Sequence, residues 1–433
     1  MPVYIGAKVL FDGLDSLPFI WPILKAIPWL GALYLIKWFF SGASNGSERN
    51  MHSKVVLVTG GTSGIGEQVV RGLASRGAQI VLLTQHFLGD PFIVEYIDDL
   101  RSDTNNELIT AEQVDLASLH SVRQFATKWI DNSPPRRLDM VVLCANTLTP
   151  SSGDIQSTSE GIELNWQVNY LANFHLLSIL SPALRAQPPD RDVRVLFGTC
   201  SSYLGGDLLH ITQPASTKSE SQANSKSSAP KAAQEPTRFS PGNAYATSKL
   251  ALTTFAVAFQ KHLSAFKRPD NVPMNTRVVL VDPGFCRTPG TRRWLTWGSL
   301  FGLLVYLIFY PLWWMVLKSP AMGAESFLYA AMEERFGRGE GEGGWLVKEC
   351  GVRKFGREEV SDEEAQKRLW QYSEQMVQEA EKRGAVERAK EKKEDQERKE
   401  EADAVKEMED YKAKVGKKDG QKKDGGRRSK KAG

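Results

Sequence analysis

The segment KVVLVTGGTSGIGEQVV, from Lys54 to Val70, constrains the chain more than any other. A short β-branched run ends in a turn with Gly60, Gly64 and Gly66 in a TGxxxGxG pattern, and a helix-forming stretch follows at once. Glycine at those places lets the backbone turn tightly and approach a pyrophosphate. The first N–H groups and the dipole of the helix then favour the anion. A glycine triplet alone also serves a merely structural turn; between a strand and a helix it reads as nucleotide binding.

The pattern continues downstream. KVVLVTG, QIVLLT, LITAEQVD, LDMVVLCAN, VRVLFGTCS and TRVVLVDPG read as strands buried on both faces, with helical stretches such as GEQVVRGLASRG and HSVRQFATKWI between them. This alternation predicts an α/β fold: a Rossmann-type doubly wound parallel sheet of about seven strands, with sites at the carboxyl ends of the strands. The domain is expected over residues 51–357.

The flanks differ in composition. Residues 1–50 form a hydrophobic anchor segment, in which LPFIWPILKAIPWLGALYLIKWFF is interrupted by Pro22, Lys25 and Pro28. It fits a kinked span, a hairpin, an interfacial helix or a helix packed on the domain. Residues 294–317 carry no charge over 24 positions, with Trp294, Trp297, Trp313 and Trp314 near the ends. They fit a membrane span, a helix in one leaflet or a buried core helix, and membrane contact is expected. Residues 358–433 read as a charged, solvated helix followed by a disordered basic tail, and residues 211–240 as a disordered Ser/Lys/Ala/Gln insert. The last 18 residues carry eight basic and two acidic groups, or +6, against +4 for the whole chain, so the remainder is slightly acidic. That balance argues against nucleic-acid binding. Cys144, Cys200, Cys286 and Cys350 have no metal-type spacing and suggest a reducing compartment, with no metal site.

In order, TGGTSGIG, QVDL, QVNYLANF, TCSSYLG, YATSK and DPGFCRT make residues 54–354 resemble the short-chain dehydrogenase/reductase family. LKSPAMGAESFLYAAM is similar to the retinol-dehydrogenase-like branch, whose members act on lipophilic alcohols and carbonyls at membranes. The insert and charged tail suit a fungal-type member. The resemblance implies a catalytic tetrad. Tyr245 is then the general acid/base; a free phenol, with a pKa of about 10, needs help to act as a base at neutral pH. Lys249, one helical turn on, places a cation beside it and is available to the nicotinamide ribose. Ser202, three residues before Gly205, polarises the carbonyl in preference to Ser201. Asn169 holds a water that links Lys249 to solvent.

The same resemblance assigns Gly60, Thr62, Ser63, Gly64, Ile65 and Gly66 to the pyrophosphate turn, Asp115 to the adenine, and Pro283, Gly284 and Thr288 to the nicotinamide side. The second strand ends in Gln85 and His86, neither acidic nor Arg/Lys, and the missing acid leans the choice to NADP over NAD. Where the family reads Asn-Asn-Ala-Gly, this chain reads Leu143, Cys144, Ala145 and Asn146; Asn tolerates the left-handed conformation of the replaced glycine. The expected function is interconversion of a hydroxyl and a carbonyl on a retinoid, sterol or fatty-aldehyde-like substrate. The expected location is an endoplasmic-reticulum or lipid-droplet surface, with the catalytic domain facing the cytosol. A homodimer stays open as a partner. The alternative is a catalytically weak or inactive member of the fold that binds a nucleotide or partner at a membrane.

Overall fold

Valine-, leucine- and isoleucine-rich runs with no polar alternation can be satisfied only where both faces of a sheet are covered. The computed structural model describes residues 20–134, 136–149, 155–208, 242–337 and 343–428, and in it the six runs become six strands of one eight-stranded sheet, of which the edge strand over LITAEQVD is only partly buried, contrary to expectation. The strands are β1 (Val55–Thr59), β2 (Gln79–Thr84), β3 (Ile109–Gln113), β4 (Met140–Leu143), β5 (Val193–Gly198), β6 (Thr276–Asp282), β7 (Trp345–Lys348) and β8 (Gly351–Arg353). Their order is β3-β2-β1-β4-β5-β6-β7-β8. Every pair is parallel except β7 with β8. The strand beyond the expected seven is the three-residue β8, which returns along β7 and closes the edge.

The helices are α1 (Ile20–Ser41), α2 (Gly64–Ala74), α3 (Pro91–Thr104), α4 (Leu119–Ile130), α5 (Leu164–Trp166), α6 (Ala172–Arg185), α7 (Ala244–Ser264), α8 (Pro289–Leu295), α9 (Leu300–Ile308), α10 (Tyr310–Val316), α11 (Pro320–Met332) and α12 (Glu363–Arg428). One face of the sheet packs on α2 and α11 through Val69, Leu73, Phe327 and Leu328. On the other face Tyr170, Phe174, Phe197 and Phe255 form an aromatic cluster. The sheet order reverses between β1 and β4, so the loops after those strands diverge and open a crevice at their carboxyl ends.

The segment 294–317 is not one helix. It supplies the end of α8, then α9 and α10. Trp297 and Gly298, both at positive φ, break it first, and the Ser299 hydroxyl caps α9 by accepting from Gly302 N. Pro311 then sits in the first turn of α10. Among the described residues no helix is long and apolar enough to cross a membrane, which corrects the expectation of a transmembrane helix. The insert 211–240 lies outside the described residues.

The chain divides into two units, Met1–Val377 and Gln378–Gly433. The first turns of α12 belong to the first unit and are not a solvated surface: Leu369 and Ser373 are buried, and the Ser373 and Tyr170 hydroxyls are 2.5 Å apart. Sequence reading missed this packing because the segment is mostly charged and its few apolar residues are widely spaced. Leu369→Ala should lower the unfolding free energy by about 2–4 kcal/mol in a denaturant titration, as loss of a buried leucine does. Val386→Ala, at an exposed position on the same helix, should stay within about 0.5 kcal/mol of wild type.

Candidate active site

The glycine turn is a cradle in which side chains have no room. Gly60 has φ +67°, and a Cβ there would strike the Ala145 backbone, so the loops after β1 and β4 touch at this residue. A Cβ on Gly66 would be driven into the Gly60 carbonyl oxygen. Gly64 also has positive φ, and a Cβ on it would meet the methyl of Thr288 at 3.5 Å. The loop after β6 thus reaches the cradle. Ser63 caps α2 without a side-chain bond, which leaves the helix N-terminus to face a ligand. Thr62 and Ile65 flank the turn, Ile65 packing toward Gly323 of α11. Tyr96, which sequence reading did not single out, fixes the turn by donating from its hydroxyl to Gly61 O at 2.6 Å. No sequence signal marks it; only the approach of α3 to the turn reveals it.

At the end of β2, Gln85 is exposed and His86 partly so. His86 Nδ1 lies 3.9 Å from Asp90 Oδ2, and the other Asp90 oxygen accepts from Phe92 N. Asp115, in the loop after β3, accepts from Ala117 N at 2.9 Å and so holds that loop. On the far side Pro283 is buried, and Gly284, at φ +78°, donates its N–H to Asp282 Oδ1 at 2.9 Å. Thr288 caps α8 by accepting from Thr291 N.

The catalytic candidates meet between β4, β5 and the start of α7. Lys249 is buried and donates to Gly198 O at 3.0 Å, with its Nζ 5.8 Å from the centroid of the Tyr245 ring. The Tyr245 hydroxyl accepts from Asn146 Nδ2 at 3.3 Å and lies 3.4 Å from Cys200 Sγ. Ser202 Oγ lies 2.7 Å from the same sulfur. The two serines point to different partners: the Ser201 hydroxyl donates to Asp282 Oδ2 at 2.5 Å and accepts from Lys348 Nζ at 2.7 Å, which leaves Ser202 on the Tyr245 side.

Asn169 sits in a π-helical turn, Gln167–Leu171, joining α5 to α6; such bulges recur at functional sites. Its side-chain oxygen accepts from Thr147 N at 2.7 Å, and its amide donates to Thr147 O and Ser248 Oγ at 2.9 and 3.2 Å. Ser248 Oγ in turn donates to Tyr245 O. The side chain therefore clamps the β4 loop to the start of α7, a role that sequence reading did not assign. Asn165, also missed, ties Thr149 to the start of α5, its amide also donating to Glu163 Oε1. Asn146 is not among the residues with positive φ. The left-handed turn expected there does not form, and the side chain is spent on the Tyr245 hydroxyl instead.

Charge in the site follows from burial. Removal from water, and next the neighbouring Cys200, hold the Tyr245 phenol well above its ordinary pKa. Burial lowers Lys249, opposed by Cys200, Cys144 and Asp282. Burial likewise pushes the Cys144 thiol up to about 12. Without a ligand the phenol is held in its neutral form, while burial opposes, and the neighbouring thiols and Asp282 support, the charge on Lys249. A cationic ring bound alongside would shift the phenol back toward ionisation.

The short chain dehydrogenase family model matches residues 54–194. An uncharacterized oxidoreductase of Schizosaccharomyces pombe is 40% identical over 358 residues, covering 83% of this chain and 90% of the relative. Mouse polyprenol dehydrogenase is 31% identical, covering 73% of this chain and 82% of its own length. Human retinol dehydrogenase 13 is 29% identical, covering 80% and 91%. A crystal structure of an uncharacterized protein from Mycobacterium paratuberculosis superposes with a TM-score of 0.51 at 20% identity, covering 78% of this chain and 98% of that one. It shares the fold.

The cradle makes a direct prediction. Gly66→Ala should weaken NADPH binding, followed by nucleotide fluorescence, by at least about tenfold (about 1.4 kcal/mol). The added methyl collides with backbone, which cannot move aside as a side chain would.

Proposed function

Because the chain belongs to the short-chain dehydrogenase/reductase family and is an oxidoreductase, we propose that it interconverts a hydroxyl and a carbonyl on a lipophilic substrate at a membrane or lipid-droplet surface. One observation carries the chemical half of this reading: Tyr245, Ser202 and Lys249 converge at the carboxyl ends of the central strands, beside a glycine cradle with room for backbone only. The family runs on NAD(P), and the cradle fits its pyrophosphate. Gly60, Gly64, Gly66 and the start of α2 would hold that group, with Pro283, Gly284 and Thr288 along the nicotinamide. Bound there, the cofactor supplies or accepts the hydride. Gln85 and His86 offer an amide and an imidazole at the ribose end, and Asp90 is already engaged by His86 and Phe92 N. That supports NADP over NAD.

The protein's own part is the proton. The Tyr245 oxygen accepts from Asn146, and its hydrogen, which faces only the long 3.4 Å contact to Cys200 Sγ, would pass to the substrate oxygen during carbonyl reduction. In the reverse direction the phenolate takes the hydroxyl proton, and Lys249 favours that charged form. Ser202 supplies a second donor to the carbonyl oxygen and stabilises charge developing there.

The substrate class is argued from surface. Helix α1 packs against α10, and Lys37 donates to Trp314 O at 2.6 Å while lying over the Trp314 ring. Trp29, Trp38 and Phe39 of α1, and Leu300, Phe301, Leu304, Leu307 and Ile308 of α9, remain exposed. Helices α9 and α10 follow the nicotinamide-side loop in sequence, and α1 packs on α10. The tryptophans of α1 and α10 and the short apolar helix α9 suit lying in one leaflet.

Turnover should be assayed with NADPH and NADH against retinaldehyde, long-chain aldehydes, sterol ketones and a polyprenal. Tyr245→Phe should lose about 10²–10⁴-fold in kcat while keeping its NADPH affinity. Nucleotide binding without turnover of any probe by wild type would overturn the enzymatic reading on these substrates and favour a binding module. In a flotation assay with neutral phospholipid vesicles, Leu304→Asp with Leu307→Asp should shift most of the protein from the floating to the soluble fraction; unchanged flotation would remove the membrane part.

A further inference from the structure

We propose that Cys200 is a positioning residue of the proton-transfer site, its thiol spanning Ser202 and Tyr245 and turning the Ser202 hydroxyl toward the substrate oxygen. The inference rests on the catalytic reading above and adds a member that the tetrad does not contain. Its basis is a triangle of atoms. Cys200 Sγ lies 2.7 Å from Ser202 Oγ and 3.4 Å from the Tyr245 hydroxyl, so one sulfur touches both groups that must reach the substrate.

The backbone aims it there. Thr199, just before, is fixed twice: its N–H donates to Val281 O, and its hydroxyl lies 2.9 Å from that of Thr253 on α7. Cys200 itself is extended, at φ −158° and ψ 160°, and its carbonyl accepts from Tyr203 N to start a 3₁₀ turn, Ser201–Gly205. Ser201 is held on the opposite side by Asp282 and Lys348.

Hydrogen bookkeeping gives the thiol its task. A serine hydroxyl has one hydrogen, and it polarises a carbonyl only while that hydrogen is not given elsewhere. Among the described residues the sulfur is the one side-chain partner recorded for Ser202 Oγ. With the S–H directed at Ser202 Oγ, the serine hydrogen is left for the substrate. The sulfur, having given its hydrogen to Ser202, can accept the Tyr245 hydrogen across 3.4 Å, a long contact that a substrate oxygen would replace. The charged and titratable groups around the sulfur are Tyr245 and Lys249 from α7, Asp282 from the end of β6 and Cys144 from the end of β4.

A double-mutant cycle tests this in the direction of carbonyl reduction with NADPH and retinaldehyde. Cys200→Ala should lower kcat about five- to tenfold with the KM for NADPH unchanged. Cys200→Ser, whose hydroxyl can make the same bridge, should stay within about twofold of wild type. In a Ser202→Ala background, Cys200→Ala should cost less than about twofold, because its effect passes through the serine. Full additivity, or a wild-type kcat for Cys200→Ala, would overturn the proposal. A second readout needs no substrate. The tyrosinate absorbance titration of Tyr245, isolated by subtracting Tyr245→Phe, should move to lower pH in Cys200→Ala, since the thiol is one of the groups that hold the phenol protonated. If no probe is turned over, the enzymatic reading fails, and the titration still decides whether the thiol faces the phenol; an unmoved titration overturns that contact.

Discussion

The proposed site depends on how α7 is fastened to the end of β5. Lys249 donates to Gly198 O, and the Thr253 and Thr199 hydroxyls meet one turn further on. Thr253 also donates back to Lys249 O. Beneath these polar ties Phe255 and Phe259 are buried against the sheet, and burying each large side chain is worth about 1.5–3 kcal/mol. The lysine is thus both a fastener and a charge. Its reach to Gly198 is what sets Tyr245, one turn earlier, over the mouth of the crevice.

That double duty explains the electrostatics. An ammonium and a phenolate are each costly out of water, and here burial pushes the lysine down and the tyrosine up. The resting site is therefore that of an acid, with the proton on the phenol. The scaffold by itself favours protonated tyrosine.

Much of this was legible in the sequence, for identifiable reasons. The strands were legible because a doubly covered sheet demands unbroken apolar runs, and β1, β4 and β6 are buried along their whole length. The cradle was legible because only glycine tolerates those contacts. The preference for Ser202 over Ser201 matches the observed geometry, in which Asp282 and Lys348 occupy Ser201. What stayed hidden depends on contacts between distant segments. Tyr96 lies 35 residues from Gly61, whose carbonyl it holds. Asn169, expected to hold a water, also has a side chain that clamps, because its partners Thr147 and Ser248 come from other elements. Asn146 looked like a tolerated substitute for glycine, yet its side chain donates to the Tyr245 phenol.

The hydrophobic segment after β6 teaches a different lesson about the same limits. Counting uncharged residues measures how much apolar surface must be hidden, and 24 of them suffice for a bilayer. Counting does not say in what shape. Trp297 and Gly298 turn the chain, Ser299 caps the next helix, and Pro311 begins another, so the segment folds into short pieces beside α1. Short helices with exposed leucine, phenylalanine and tryptophan leave a face that neither the sheet nor the rest of the unit covers. Lys318, immediately after them, is paired with Glu349, which also accepts from Ala43 N just beyond α1. The two apolar elements and the loop along the proposed nicotinamide site therefore share one ion-paired junction. Lys318 N also donates to Phe285 O and its carbonyl accepts from Arg287 N, so the backbone of that loop is tied to the end of α10.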